Sequence, residues 1–174
     1  MKKEHWINDP VEGGGAIVGE GGHFFDLLSW LIGAEPGRIY AEMLSSGDPA
    51  LVGANNVVCT LSYSDGSAAS LIYSTIGSET FPKERIEVFV DGGVVVIDDF
   101  RELVVAGAPG RSERLSRIEK GHFELLQEYG RFLIGKSKGA DLPTAEDGVR
   151  ATICSLRVLD ALRTGKAQQF AYPW

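Results

Sequence analysis

The chain has 174 residues, 44% hydrophobic and 24% charged, ordinary proportions for a globular protein and enough length for one domain burying roughly 70% of its unfolded surface. Its net charge of −7, with 24 acidic against 17 basic side chains and no Lys/Arg cluster, disfavours nucleic-acid binding, because an acidic surface repels phosphate. No apolar run approaches the ~20 residues of a membrane span, and Met1-Lys2-Lys3-Glu4-His5-Trp6 lacks the apolar core of a signal peptide, so a cytoplasmic location is the expectation.

The chain opens with Trp6 and then Asn8-Asp9-Pro10, an anchored aromatic followed by a turn. Glycines cluster next, at Gly13, Gly14, Gly15, Gly19, Gly21 and Gly22. A loop without Cβ atoms lets backbone or ligand approach closely. It runs into an apolar helix, His23 to Ile32, which stops at Gly33. On a 3.6-residue helix His23, Asp26 and Trp30 share one side, with Phe24, Leu27, Leu28 and Leu31 on the adjoining one. The apolar side is expected to enter the core and leave an imidazole and a carboxylate at the mouth of a glycine-lined cleft.

Strand patterns follow at Arg38–Leu44, Asn56–Tyr63 and Ala68–Thr75, with Ser45-Ser46-Gly47-Asp48-Pro49 punctuating the first two. Asp65-Gly66 between the second and third is a hairpin signal. A second, Asp91-Gly92-Gly93, joins Arg85–Val90 to Val94–Ile97, and Glu102–Ala106 adds one more strand. Residues 107–118 read as a loop with Arg111, Arg114 and Arg117 in solvent. Glu119 to Ile134 reads as a helix with Phe123, Leu126, Tyr129, Phe132 and Leu133 in a buried stripe. The last helix is capped by Thr144 and Asp147, buries Val149, Ile153, Leu156, Leu159 and Leu162, and stops at Arg163 and Gly165. Gln168–Tyr172 is a final edge strand. The pattern predicts a single α+β domain: a largely antiparallel sheet with helices on one face. Because apolar residues occur at both strand parities, the other face is expected to form a homodimer interface.

Gly130-Arg131-Phe132-Leu133-Ile134-Gly135-Lys136-Ser137 matches the phosphate-loop pattern, but no strand precedes it and no helix opens at its lysine, so the match is read as accidental. The dinucleotide fingerprint is absent. Cys59 and Cys154 sit in apolar patterns and read as buried thiols. His5, His23 and Glu20 lack metal-ligand spacing, so no metal is assigned. His23 is the sharpest chemical candidate, since an imidazole near neutrality both gives and takes a proton.

From Gly13 to Asp26 the chain resembles the start of the C-terminal domain of the Gfo/Idh/MocA oxidoreductases, whose pattern is roughly GGGxxxDxGxHxxD. Gly13, Gly14, Gly15, Gly21, His23 and Asp26 fit it, while Gly19 stands where the family has an acid. The resemblance continues through Pro82-Lys83-Glu84-Arg85-Ile86-Glu87-Val88-Phe89, Asp98-Asp99-Phe100-Arg101 and Lys120-Gly121-His122.

That resemblance implies the substrate-binding and oligomerisation half of an NAD- or NADP-dependent dehydrogenase acting on a sugar-like or polyol hydroxyl. The cofactor would be held mainly by a Rossmann domain not supplied here, with Gly14 and Gly15 as this chain's contacts to it. His23 would hold or deprotonate the hydroxyl whose carbon gives up hydride, and Glu20 is the candidate replacement for the missing acid. Trp6, Asp26 and Lys83 are the candidate substrate contacts. The chain alone is expected to neither bind NAD(H) tightly nor turn over. The alternative implied by Gly19 is a non-catalytic sugar-binding or dimerising module on the same fold.

Overall fold

The computed structural model describes residues 5–9, 11–45, 52–140 and 142–172. The Ser46-to-Pro49 punctuation and Pro10 therefore lie outside the described residues. The chain is α+β and its sheets are antiparallel, as the hairpin signals predict. The strands do not form one sheet, however. They divide into two four-stranded sheets in two compact units, Met1–Ile76 with Pro143–Trp174, and Gly77–Leu142.

In the first unit, a 3-10 turn at Trp6–Asn8 precedes the glycine loop. Helices α1 (Ala16–Gly19) and α2 (Gly21–Ile32) follow, so the glycine-rich stretch is already helical by Ala16. Gly33 ends α2 in the left-handed conformation, φ 72°. Strands β1 (Pro36–Met43), β2 (Val57–Tyr63) and β3 (Ala68–Tyr73) form a meander, and β8 (Gln168–Gln169) adds to the free edge of β1. One sheet face carries Ile39, Ala41, Val57, Cys59, Leu61 and Tyr63 against α2 and α4 (Ala145–Thr164).

Two stripes differ from the expectation. In α2 the fully buried ring is Phe25, with Leu28 and Ile32 packed beside it, whereas Phe24 leans on the Tyr73 ring with centroids 5.9 Å apart. In α4 the buried side is Ala151, Cys154, Ser155, Val158 and Ala161, and the larger Val149 and Leu156 are exposed. Small residues allow α4 to lie close to its neighbours. Ser155 sits against Gly22 of α2, where an added Cβ would meet its Oγ at 3.9 Å. The buried side of α4 is thus its small-residue side, and side-chain size alone does not mark it. Both cysteines are buried and free, and burial pushes each thiol up to about 12.

The second unit holds β4 (Arg85–Val90), β5 (Gly93–Asp98), β6 (Glu102–Ala106) and the two-residue β7 (Glu113–Arg114). Asp91 and Gly92 turn the first hairpin with φ of 49° and 79°. The next turn uses Asp99 and Phe100, both at φ 51°, without any glycine. It is held from outside the hairpin. Lys83 N–H donates to the Asp99 carboxylate at 3.2 Å, Asp99 N–H donates to Glu84 O at 2.7 Å, and Glu119 N–H donates to Phe100 O at 3.0 Å. Lys120 pairs with Glu84 and lies 5.2 Å from the centre of the Phe100 ring. The three motif stretches beyond the glycine loop therefore meet around one strained turn.

Helix α3 (His122–Leu133) corrects a further expectation. None of its residues is buried, and Phe123, Leu126 and Leu133 are more than 60% exposed. Helical spacing shows which face is apolar and carries no information on what covers it. The phosphate-loop look-alike falls on the C-terminal end of this helix, where Gly135 and Lys136 donate to Phe132 O and Arg131 O. The motif therefore lacks the helix N-terminus on which a phosphate loop depends.

Candidate functional site

The glycine loop is a knot rather than an open cradle. Gly13 and Gly14 donate their N–H groups to Asp9 O, and Gly15 donates to Ile7 O at 2.7 Å. A Cβ on Gly13 would lie 2.3 Å from the Ile7 Cα, so only glycine fits there. The next donor, Ala16 N–H, goes to the side chain of Asn55 at 3.2 Å. All four amides are thereby committed to internal acceptors. The loop offers no nest for a diphosphate. What it leaves open is the Cα side of Gly15, where an added Cβ would meet nothing within 4 Å. Gly14 is less free, since Val18 lies 3.2 Å from its would-be Cβ.

His23 stands exposed on the first turn of α2. One turn on, Asp26 is half-buried between α2 and the start of α4. Its carboxyl is raised above the ordinary value by burial and then by Asp147, against the opposing pull of His23 and Arg150. Arg150 donates to Asp147 at 2.8 Å and lies 3.6 Å from Glu35. Asp147 is held low by its bonds with Thr144, and Arg150 adds to this. The exposed imidazole thus edges a polar network of mixed charge on α2 and α4.

Glu20, the junction between α1 and α2, is exposed and faces Tyr73, whose phenol is raised by burial and then by this carboxylate. Trp6 is 60% exposed in the turn that feeds the knot, its ring 5.9 Å from that of His5. Lys83 belongs to the second unit, exposed beside the Asp99 turn. The structure therefore places Trp6, Gly14, Gly15, Glu20, His23 and Asp26 in one unit, built on one knot and the helix after it. Gly19 is packed under Ile7. Sequence reading missed Asn55, whose partners Asn8 and Ala16 are 47 and 39 residues away, and Ile7 and Arg150, which belong to no motif.

The model of the GFO/IDH/MocA C-terminal domain matches residues 1–96, more than half of the chain. The chain belongs to the Gfo/Idh/MocA oxidoreductase family. No curated protein matches it. Among solved structures it is similar to the aldose–aldose oxidoreductase from Caulobacter crescentus complexed with glycerol, at TM-score 0.74 and 17% identity over 96% of this chain and 51% of that one. It is also similar to an NAD binding oxidoreductase from Klebsiella pneumoniae, at TM-score 0.72 and 17% identity over 96% and 54%. A third is an oxidoreductase from Agrobacterium radiobacter in complex with NAD+, L-tartaric acid and magnesium, at TM-score 0.65 and 16% identity over 86% and 47%. Likeness at these identities shows the fold. This Gfo/Idh/MocA chain spans about half the length of the structures it matches. Its matched region, residues 1–96, contains the whole knot and all of α2.

Proposed function

We propose that this domain binds the substrate of an NAD- or NADP-dependent dehydrogenase acting on a sugar-like or polyol hydroxyl, with His23 as the group that holds and deprotonates that hydroxyl. The observation that carries the reading is an exposed imidazole one turn from a half-buried carboxylate, on the helix leaving a glycine knot, inside the region the family shares. Two similar structures were solved with small hydroxyl compounds, glycerol and L-tartaric acid, which supports the substrate class. Trp6 and Asp26 line the substrate side, and Gly14 and Gly15 come against the nicotinamide end. The committed amides of the knot leave the diphosphate to a nucleotide-binding domain that this chain does not supply, so the domain alone neither binds NAD(H) tightly nor turns over. The outer face of the β1–β3 sheet forms the homodimer contact.

The test is His23→Ala in the full-length dehydrogenase. The expected result is a fall in kcat/KM of about 10²–10⁴-fold, the usual worth of a positioned proton-transfer group, with assembly unchanged. Retained turnover overturns the reading. One observation favours a second reading, a binding or dimerising module without chemistry. Ile7 fills the space over Gly19, the position where the resemblance calls for an acid. In that case His23→Ala leaves ligand binding and assembly intact, and no turnover is found in the parent.

A further inference from the structure

We propose that Asn55 is a positioning residue for the His23 site, acting through the glycine knot; the functional meaning of that knot rests on the reading above. Asn55 ends a 3-10 turn (Gly53–Asn55) just before β2 and is 1% exposed. Its Oδ1 accepts from Ala16 N–H at 3.2 Å, and its Nδ2 donates to Asn8 Oδ1 at 2.7 Å. Those two partners bracket the loop: Asn8 lies before Gly13, and Ala16 is the first residue of α1. The residue at the N-cap of α1 is Gly15, which has no side chain to offer the helix. Asn55 supplies the missing acceptor from 39 residues away.

Within the loop, Gly13 and Gly14 donate to Asp9 O, Gly15 donates to Ile7 O, and Val11 and Glu12 donate to the Asp9 carboxylate, all over short range. Burial of Ala16 and Ile17 seats α1 against the core, and those bonds fix the shape of the loop. The Asn55 amide ties both of its ends to the start of a core strand, since Val57 of β2 is buried two residues on. Helix α1 then passes the placement through Glu20 to α2 and to the imidazole on its first turn. A buried amide with both ends engaged is costly to leave half-satisfied, so the arrangement has one orientation. An asparagine that only stabilised the fold would spread its effect over the unit. A positioning asparagine concentrates it at the loop.

The experiment is amide hydrogen exchange followed by NMR on this chain, comparing wild type with Asn55→Leu and with the milder Asn8→Ala, whose site is half-exposed. Exchange at Gly15 and Ala16 is expected to rise roughly five- to tenfold or more in Asn55→Leu and by less in Asn8→Ala, the loss of one buried bond setting the scale. The ladder amides of Ile39, Ala41, Cys59 and Leu61 should not change, and the His23 ring resonances should move. Unchanged exchange at Gly15 and Ala16, or an equal rise at loop and ladder, overturns the proposal. Should Asn55→Leu fail to fold, Asn8→Ala decides alone. Exchange is read without turnover, so its outcome stands apart from that of His23→Ala.

Discussion

Ile7 lies over Gly19 so closely that a Cβ at residue 19 would stand 2.7 Å from its Cδ1 and 3.0 Å from its Cγ1. Ile7 is 3% exposed, so its side chain has little room to retreat. Overfilling a packed site of this kind usually costs about 1–3 kcal/mol. Gly19→Asp is therefore expected to destabilise the chain by that amount, read by urea denaturation. In an Ile7→Ala background the added cost should nearly vanish, because the obstructing atoms are gone. Equal penalties in both backgrounds would contradict the packing argument.

Gly13 is less forgiving, because its would-be Cβ meets backbone atoms of Ile7 at 2.3–2.6 Å rather than a side-chain tip. No background substitution at Ile7 relieves that clash. Gly13→Ala is expected to cost more than Gly15→Ala, although of the two only Gly15 has a positive φ, 91°. Space at Gly15 is open, leaving only the backbone strain of its φ 91°, ψ 162° conformation, about 1–3 kcal/mol. The order of the two thermal midpoints checks this.

Much of the local architecture was legible because its causes are local. Thr144 and Asp147 form the capping box, Gly33 and Gly165 end their helices at positive φ, and Asp65-Gly66 and Asp91-Gly92 turn their hairpins. Each needs only neighbours within a few residues. The Asp99-Phe100 turn was not legible, since its non-glycine residues are held at positive φ by Lys83, Glu84 and Glu119. Nor was the buried side of α4, where Ala151, Cys154 and Ala161 face the core and Val149 and Leu156 are left exposed. Periodicity identifies an apolar face, but close approach between elements selects which residues it buries. At the site, His23 and the glycines stood out through their pattern. Asn55 and Ile7 did not, because an amide or an isoleucine has no chemistry of its own to mark it.

The capping box is a quantitative check on the legible part. Thr144 accepts from Asp147 N–H at 3.2 Å, and Asp147 accepts from Thr144 N–H at 2.8 Å. Thr144→Ala should cost about 1 kcal/mol in a chemical denaturation curve. Arg150 would keep its bond to Asp147, so the loss should not reach the Arg150–Glu35 contact.

The outer face of the β1–β3 sheet bears the dimer proposal. Val58 and Ile72 are opposed across β2 and β3, 48% and 74% exposed, beside a hollow of about 320 Å³ that Met43 and Ile76 also line. Arg38 and Glu42 lie on the same face of β1. Sedimentation of the wild type at micromolar concentration should show a dimer, and Val58→Lys with Ile72→Lys should shift it to monomer, since buried unpaired cations are costly. A monomeric wild type would end the proposal.

Asp26 and Asp147 should pull stability in opposite directions as the pH changes. Burial and Asp147 raise the Asp26 carboxyl above its ordinary 3.8, so the folded chain holds that proton more tightly than the unfolded chain does. Its ionised form therefore opposes folding at neutral pH, and the opposition fades as pH falls through the raised folded value, ending below 3.8. Asp147 is lowered, chiefly by Thr144, so its contribution is present above 3.8 and is lost as pH falls through its folded value. Asp26→Asn should accordingly stabilise the chain at pH 7 by less than about 1 kcal/mol, solvent screening at a half-buried site keeping the effect small. That advantage should shrink to nothing on acidification below 3.8. Thermal midpoints of wild type and Asp26→Asn between pH 7 and pH 3 test the sign, and a variant advantage that grows on acidification would refute the assignment of burial as the cause.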